Sequence, residues 1–419
     1  MAGVRSWKNR RVASPVNPPR GMRDLLPAEK AKREHALSVI RAVYRSHGFD
    51  EIEAPALEEY DRLHAGLGGD NEKLSYSVLK RGIGPEQWSQ ADGVEAIADL
   101  GLRFDLTVPL ARFYATNQAA LPPVFRAVQI GPVWRAERPQ RGRYRQFVQC
   151  DIDVLGEPGP IAELELIGAT AAALDALGLE GASVRINDRR ILNRLLLTWG
   201  VAAESASSAL ITIDKLDKIG VHGVVAELGE HGVDTAGLEE AFGELAVAGW
   251  DLAVDPPAWL DVPAYTELLA LKDALPDVEL VFDPTLVRGM GYYTGTIFEI
   301  AHPSSTSSLG GGGRYDGMIG RFLGRDVPAV GFSIGFERIV DLLPDRPSGT
   351  VATALLHDAD VAAAVLLAAK RQVQEEGGRV RLERARKNRR AQLDALAADG
   401  FTRFATVGPD GIGELRPLS

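Results

Sequence analysis

Residues 125–156 read FRAVQIGPVWRAERPQRGRYRQFVQCDIDVLG and contain two strand-like runs joined by a charged loop. The charged positions of this loop are Arg135, Glu137, Arg138, Arg141, Arg143 and Arg145. Guanidinium groups crowded in this way repel one another unless an anion lies among them, and the planar fork of arginine suits phosphate oxygens. From the loop alone, a triphosphate or RNA-phosphate site and a solvated hairpin tip are equally supported.

The second run alternates apolar and polar residues, as a strand with two different faces does. One face has Cys150, Ile152 and Val154, and the other has Gln149, Asp151 and Asp153. A polar strand face is ordinarily solvated, but this one leads directly from the arginine cluster. Carboxylates near arginines stay ionised and can bind a cationic amine or an imidazole. We therefore predict an acidic floor beside the guanidinium groups.

Two further segments carry polar side chains between apolar ones: LRFDLT at 102–107 and LVRGMGYYTGTIFE at 286–299. If the first is a strand, Asp105 and Thr107 either offer an acceptor pair to an ammonium group or form the polar face of an edge strand. In the second, Arg288 stands between glycine-containing turns, which is unusual for a surface strand. The tyrosines that follow it line a site, or one belongs to the core and the other to an interface.

A Ser/Gly-rich turn is predicted over 304–313, and its last four glycines permit close approach of the backbone to a ligand. The pattern is neither a P-loop nor a Rossmann phosphate site, so arginines and a sheet would have to hold any nucleotide. The motif GFSIGFER is predicted to open a helix over 331–343. Its Arg338 is either a phosphate ligand or a surface charge.

Composition indicates a globular chain of two or three domains: 419 residues, of which 45% are hydrophobic and 25% charged. The net charge of −10 argues against a protein that coats nucleic acid non-specifically. The single cysteine, Cys150, excludes an intramolecular disulfide and a cysteine-based zinc site. No apolar run reaches the roughly 18 residues of a membrane span, and we expect a cytoplasmic protein.

Periodicity divides the chain into helical and strand-like regions. The expected order is a basic disordered arm over 1–17, a helix from Ala28 to Gly48, a strand at 50–54, a loop over 82–99, strands and turns over 102–155, a helix at 162–177, a helical insertion at about 190–275 and strands over 278–300. A linker at 343–350 precedes a short α/β module over 350–419. That module has a basic run at 379–390, which is either a phosphate-binding footprint or a solvated helix.

These segments together resemble the class II aminoacyl-tRNA synthetases, and most closely the histidyl-tRNA synthetase family. PRGMRDLL at 19–26 is similar to the family's opening, residues 135–147 to the class II hairpin and GFSIGFER to the closing class II motif. LVRGMGYYTGTIFE and GGGGRYDG are similar to two signatures peculiar to histidyl enzymes. The resemblance implies an α+β fold: a class II catalytic domain over 18–343, built on a six-stranded antiparallel sheet flanked by helices, and a shortened anticodon-binding-like domain over 350–419.

The resemblance also implies an ATP-dependent ligase that forms histidyl-adenylate from L-histidine and ATP and transfers histidine to the 3′ end of histidine tRNA. The implied protein is a homodimer that pairs through the first motif. Mg²⁺ would accompany ATP, and no metal site belonging to the protein is expected.

Site residues follow from the resemblance position by position. The implied catalytic residues are Arg135 and Arg288. The implied histidine-binding residues are Asp105, Leu106, Thr107, Arg135, Gln149, Asp153, Arg288, Tyr292, Tyr293 and Tyr315. The implied ATP-binding residues are Arg135, Glu137, Arg143, Phe147 and Arg338.

Two other functions compete with this one. A catalytically inactive paralogue could sense histidine as a regulatory subunit of an ATP phosphoribosyltransferase, but such a protein would be expected to lose the arginines that bind ATP. A histidine-activating paralogue could instead use an acceptor other than tRNA, which the short C-terminal module would suit. Pyrophosphate exchange distinguishes the first alternative, and charging of histidine tRNA distinguishes the second.

Overall fold

The computed structural model describes residues 16–65, 69–139, 142–288, 292–344 and 351–418. Within them the chain forms two compact units, one of residues 16–26 and 33–343 and the other of residues 27–32 and 344–418. Most of the predicted basic arm, residues 1–15, lies outside the described residues.

The helices and strands are numbered along the chain. The α-helices are α1 (Pro27–Ser46), α2 (Tyr60–Leu63), α3 (Pro85–Gln90), α4 (Val94–Ile97), α5 (Thr107–Asn117), α6 (Ile161–Ala176), α7 (Arg189–Thr198), α8 (Ala206–Ile213), α9 (Leu216–Glu230), α10 (Leu238–Ala246), α11 (Val262–Ala274), α12 (Asp316–Leu323), α13 (Phe336–Leu342), α14 (Ala363–Glu375) and α15 (Arg389–Ala398). Short 3₁₀ helices span Gly69–Leu74, Gln118–Ala120 and Ala203–Ser205. The strands are β1 (Asp50–Glu51), β2 (Leu57–Glu59), β3 (Tyr76–Leu79), β4 (Ala98–Leu102), β5 (Phe125–Trp134), β6 (Gln146–Leu155), β7 (Ser183–Asp188), β8 (Leu280–Phe282), β9 (Thr296–His302), β10 (Ser305–Arg314), β11 (Ala329–Ile334), β12 (Ala352–His357), β13 (Arg379–Arg384), β14 (Arg403–Gly408), β15 (Gly411–Ile412) and β16 (Arg416–Pro417).

The first unit is built on a large sheet with the strand order β1-β5-β6-β11-β10-β9-β7-β8. The inner strands from β5 to β7 run antiparallel to their neighbours, whereas β1 pairs with β5, and β8 with β7, in parallel. The α+β class and the antiparallel sheet are therefore confirmed, with a parallel strand added at each edge. A smaller sheet with the order β2-β4-β3 lies in the same unit.

The alternation in β6 separates the core from the opposite face of the sheet as predicted. Cys150, Ile152 and Val154 are fully buried, in the same hydrophobic core as Leu166 and Ile167 of α6. Helix α6 packs against β6 and β11 and lies within one residue of its predicted bounds. Burial of this apolar face sets the register of β6, because a shift by one residue would place every aspartate in the core.

Helix α1 is held by apolar packing and by one buried ion pair. Its core residues Ala36, Ile40 and Tyr44 recur at a spacing of four and are fully buried. Arg33 on the same helix makes two hydrogen bonds of 2.5 and 2.7 Å to the carboxylate of Glu337 in α13. Glu337 also accepts from Arg23 at 2.5 Å and from the backbone N–H of Val148 at 3.1 Å. One carboxylate therefore ties four segments of this unit together.

Two glycine-rich predictions were wrong. The predicted turn over 304–313 is instead mostly β10, and the predicted helix over 331–343 begins only at Phe336, because 329–334 form β11. Glycine weakens a strand by itself, but here both strands lie inside the sheet, and neighbours on each side supply their hydrogen bonds.

Two predictions near β4 were also wrong. The expected strands and turns over 102–155 include helix α5, whose Val108, Ala111 and Tyr114 are buried at helical spacing. Asp105 therefore does not alternate with Thr107 along a strand. The predicted loop over 82–99 contains α3, which has a proline at its first position, and α4.

The strand predicted over 50–54 is shorter than expected, because only residues 50 and 51 form β1.

Helices α7 to α11 occupy the chain between β7 and β8, which are parallel neighbours in the large sheet. In the second unit, β12 lies between the parallel strands β13 and β14. Its alternate side chains enter two hydrophobic clusters, Ala354 and Leu356 with Leu396 of α15, and Leu355 with Val373 of α14. In the described part of the chain, no helix is long and apolar enough to cross a membrane.

Candidate active site

A cavity with about 250 Å³ of empty space lies over the central strands of the large sheet. Its lining residues are Thr107, Asp151, Asp153, Tyr292, Tyr293, Gly311, Gly312, Tyr315, Gly331 and Phe332. They come from six places: the start of α5, strands β6, β10 and β11, the segment before β9, and the residue before α12. The acidic face of β6 forms part of its wall.

Two carboxylates of β6 lie in this wall, and each is held by a hydroxyl group. The Tyr315 hydroxyl donates to Oδ1 of Asp153 at 2.5 Å, and the Ser333 hydroxyl donates to Oδ1 of Asp151. Burial raises the pKa of Asp153 to about 7, although the bond from Tyr315 opposes the rise. Burial, followed by the charge of Asp153, raises the pKa of Asp151 well above its usual range. The wall therefore favours a ligand that brings positive charge or N–H donors.

Among the buried side-chain atoms of the described residues that have no hydrogen-bond partner, three are carboxylate or amide oxygens: Oδ2 of Asp105, Oε1 of Gln129 and Oε1 of Gln149. The other oxygen of Asp105 accepts from the Val108 N–H at 3.1 Å at the start of α5. Burial raises the pKa of Asp105 to about 6, against the bond from Val108. Buried acceptors without partners are costly, so they favour a ligand that donates hydrogen bonds.

Arginines cluster beside the acidic wall. The Nε of Arg135 donates to the Phe104 carbonyl at 2.9 Å, and its guanidinium lies 5.1 Å from the centre of the Phe147 ring. Arg338 donates to the Ser308 carbonyl. Burial lowers the pKa of Arg338, and the charges of Arg143 and Arg288 lower it further. Arg143 and Arg288 therefore both lie close enough to Arg338 to repel it, which favours an anion beside Arg338.

Arg288 is oriented by a carboxylate on β9. Its Nη1 lies 2.7 Å from Oε2 of Glu299, whose Oε1 lies 3.4 Å from Arg185. Arg185 also pairs with Asp283 and, at 3.4 Å, with Asp217 of α9. Arg288 is therefore one end of a network of charges that crosses β9 and β7.

The glycines of β10 and β11 leave room for these side chains. A Cβ at Gly311 would lie 2.7 Å from the guanidinium carbon of Arg288, and one at Gly313 would lie 2.8 Å from the Tyr293 ring. A Cβ at Gly331 would lie 2.1 Å from Oδ1 of Asp153. Neighbouring strand backbone is also close to the glycines of β10, and Gly311 and Gly312 line the cavity.

The structure brings five of the fourteen predicted site residues into the lining of one cavity. Thr107, Asp153, Tyr292, Tyr293 and Tyr315 line the cavity. The rings of Tyr292 and Tyr293 are 4.7 Å apart, and Tyr292 meets Tyr315 edge to face at 6.0 Å.

The remaining predicted residues lie around the cavity or farther out. Leu106 is buried, and its carbonyl accepts from Gln129 at 3.1 Å. Glu137 and Arg143 form an ion pair of 3.4 Å in the hairpin loop. Arg141 lies outside the described residues, and Arg145 donates to the Glu137 carbonyl at 3.0 Å.

The sequence pattern placed Asp151 on the predicted acidic floor, between Gln149 and Asp153, but gave it no role of its own. Gln129, Ser333 and Glu299 were not predicted as site residues. Ser333 could not be found from the sequence, because the helix predicted over its segment hides the pairing of Ser333 with Asp151 across the sheet. Glu299 could not be found either, because its part in the site depends on its distance from Arg288, which the sequence does not give.

Comparison with known proteins agrees with this arrangement. The family model "Histidyl-tRNA synthetase" matches residues 21–339. A histidine-tRNA ligase of Leifsonia xyli subsp. xyli is 57% identical, covering 97% of this chain and 100% of the relative, and a probable histidine-tRNA ligase of Tropheryma whipplei strain Twist is 42% identical, covering 96% and 99%. The crystal structure of histidyl-tRNA synthetase from Nostoc sp. PCC 7120 superposes with a TM-score of 0.76 at 26% identity, covering 94% of this chain and 92% of that one. The chain belongs to the histidyl-tRNA synthetase family.

Proposed function

We propose that the protein is an ATP-dependent ligase that activates L-histidine to histidyl-adenylate and transfers it to the 3′ end of histidine tRNA. The observation that carries the proposal is that buried acceptor atoms and a group of arginines lie next to each other at one cavity. Buried acceptors suit the cationic and N–H-bearing parts of histidine. Crowded guanidinium groups beside them suit its carboxylate and the phosphates of ATP.

The proposed activation step joins the histidine carboxylate to the α-phosphorus of ATP. A carboxylate oxygen forms the new bond to phosphorus, the bond from the α-phosphorus to the bridging oxygen breaks, and pyrophosphate leaves. The carboxylate is already ionised at neutral pH, so no general base is needed, and catalysis consists of positioning and charge stabilisation. Arg135 and Arg288 are the proposed donors to the reacting carboxylate and α-phosphate.

The remaining residues are assigned to the ammonium group of histidine, to its imidazole and to ATP. The α-ammonium group is assigned to Asp105, Thr107 and Gln149, with Leu106 holding their segment through its backbone. The imidazole is assigned to Asp153 and Tyr293, with Tyr292 and Tyr315 beside it. ATP is assigned to Arg135, Glu137, Arg143 and Arg338, with adenine against Phe147.

Selectivity for histidine has a physical basis in this assignment. Asp153 presents a carboxylate that is already held by the Tyr315 hydroxyl, and Tyr293 presents a phenol in the same cavity. An apolar amino acid of similar size would offer no hydrogen bond to the remaining acceptor capacity of Asp153 or to the Tyr293 hydroxyl, and sites of this kind reject such analogues strongly.

Mg²⁺ is proposed to arrive with ATP. Among the described residues, no group of three or more histidine, cysteine or acidic side chains could hold a metal ion. The triphosphate itself supplies the oxygen ligands that Mg²⁺ prefers. The protein's contribution is then the arginines that hold the same phosphates.

The domain roles, assembly and location are proposed from the family. We assign activation to residues 18–343, with a helical insertion at about 190–275, and anticodon contact to residues 350–419. The second assignment is supported by Arg384, Arg386, Arg389 and Arg390, which form a basic segment across the end of β13 and the start of α15. A homodimer that pairs through the first motif and a cytoplasmic location, where tRNA is charged, complete the proposal.

Two assays test this function with the full chain. The first is histidine-dependent exchange of labelled pyrophosphate into ATP, run with each of the other amino acids as controls. The second is charging of transcribed histidine tRNA. Exchange with histidine alone, followed by charging, is the expected result.

The alternatives predict different results. Histidine binding without exchange would identify the regulatory paralogue, which is not favoured because the chain retains Arg135, Arg143, Arg288 and Arg338 and its 57% identical relative is a ligase. Exchange without charging would identify an acceptor other than tRNA. Absence of both histidine binding and exchange would contradict the proposed function altogether.

A further inference from the structure

Three polar side chains of β6 and β11 form a chain of hydrogen bonds at the edge of the cavity. The amide nitrogen of Gln149 lies 3.2 Å from the Ser333 hydroxyl oxygen and 3.4 Å from each oxygen of Asp151. The Ser333 hydroxyl donates in turn to Asp151. Asp151 and Ser333 are directly opposite in the register of the two strands. The arrangement is therefore set by the sheet, not by a loop.

The chemistry of these groups gives the chain a direction. An ionised carboxylate only accepts hydrogen bonds, and the Ser333 hydroxyl donates its single proton to the Asp151 carboxylate. Asp151 and the Ser333 oxygen can therefore only accept from Gln149, so the NH₂ group of Gln149 must face them. The amide oxygen must point away from them, and that oxygen is buried with no partner among the described residues.

We propose that Asp151 is a positioning residue, which acts through Gln149 to present the amide oxygen to the α-ammonium group of the amino acid. This inference rests on the proposed function and adds a residue to it. Asp151 also supplies negative charge near the same group, as do Asp105 and Asp153. Burial, followed by the charge of Asp153, raises the pKa of Asp151. A bound ammonium group lowers that pKa again, so the ionised carboxylate, which only accepts hydrogen bonds, is the form that orients Gln149 when the ligand is present.

The proposal predicts a defect that is specific for the ammonium group. In the Asp151→Asn variant the new amide can donate to the Gln149 oxygen and turn it away from the ligand. Histidinol keeps the ammonium group and lacks the carboxylate, whereas imidazole-4-propionate keeps the carboxylate and lacks the ammonium group. Asp151→Asn should weaken histidinol binding about tenfold or more, the size of one lost charged hydrogen bond, and change the affinity for imidazole-4-propionate less than about twofold.

Three further variants separate positioning from a structural role. Ser333→Ala removes the bridging hydroxyl and should weaken histidinol binding by a smaller factor in the same direction. Adding Gln149→Glu to Asp151→Asn restores a group that accepts in either orientation, and should recover part of the lost affinity. Asp188→Asn alters another buried carboxylate, which caps α7 and is not in the cavity lining, and should leave both affinities unchanged.

The affinities for histidinol and imidazole-4-propionate are measured by calorimetric titration of the full-length protein. Equal weakening of both analogues by Asp151→Asn, or unchanged histidinol binding by both Asp151→Asn and Ser333→Ala, would overturn the inference. If Asp151→Asn does not fold, Ser333→Ala decides alone. The wild-type protein is assayed in parallel for histidine-dependent pyrophosphate exchange. Absence of exchange there refutes the proposed function, whereas normal exchange with no analogue-specific defect refutes only the role of Asp151.

Discussion

Asp153→Asn is expected to make the ligand-free protein more stable while it removes histidine binding. Asp153 is 4% exposed, and burial raises its pKa from an ordinary value of 3.8 to about 7. One pH unit corresponds to about 1.4 kcal/mol, so ionising this carboxylate in the folded protein costs up to about 4 kcal/mol. Asparagine avoids that cost and can still accept from the Tyr315 hydroxyl.

Because the pKa of Asp153 is raised on folding, the stability gained by Asp153→Asn depends on pH. Between pH 3.8 and about 7 the folded protein holds a proton on Asp153 that the unfolded chain has released, so the wild type loses stability as the pH rises through this range. The stability gained by Asp153→Asn should therefore be largest at pH 8, decrease toward pH 5 and vanish near pH 4.

Thermal unfolding of the ligand-free protein, followed by circular dichroism at several pH values, measures this difference. We expect the midpoint of Asp153→Asn to exceed that of the wild type by about 5 °C at pH 8. Asp277→Asn, a change at an exposed carboxylate, is the matched control and should leave the midpoint unchanged. A variant less stable than the wild type at pH 8, or a gain that increases toward low pH, would refute the reasoning.

The remaining predictions concern one catalytic residue, one glycine and one buried ion pair. Arg288→Ala should lower the rate of adenylate formation about 10²- to 10³-fold with an unchanged unfolding midpoint, and wild-type rates in pyrophosphate exchange would make its assigned role wrong. Gly311→Ala should lower kcat for exchange about 100-fold, because the new Cβ would lie 2.7 Å from the Arg288 guanidinium; an unchanged kcat would show that Arg288 needs no fixed position. Glu337→Gln should destabilise the fold by about 3 kcal/mol, because it replaces the carboxylate paired with Arg33, which is 5% exposed, by a neutral amide. An unaltered midpoint of thermal unfolding would contradict that estimate.

The sequence predicted those parts of the site that depend on a local period. Alternation in β6 placed Asp153 and Gln149 together on one face and Cys150 in the core, and the register of the sheet agrees. The arginine-rich loop was predicted to lie next to that face because it directly precedes it in the chain. Local pattern was sufficient in both cases.

The errors arose where tertiary packing outweighs local preference. Four consecutive glycines predict a turn, but β10 needs them because neighbouring strand backbone and the side chains of Arg288 and Tyr293 occupy the space that Cβ atoms would take. GFSIGFER predicts a helix throughout, yet its first half is β11, where the glycine opposite Asp153 leaves room for that carboxylate. Pairing between distant strands decides such segments, and no local pattern encodes it.

The placement of histidine and ATP is tested most directly by a crystal structure of the protein with histidine and a non-hydrolysable ATP analogue. We expect the ammonium group within hydrogen-bond distance of the Gln149 oxygen, the imidazole at Asp153, and the carboxylate and α-phosphate together between Arg135 and Arg288. A structure in which saturating ligands leave this cavity empty, or bind with the imidazole toward the arginines, would contradict the account.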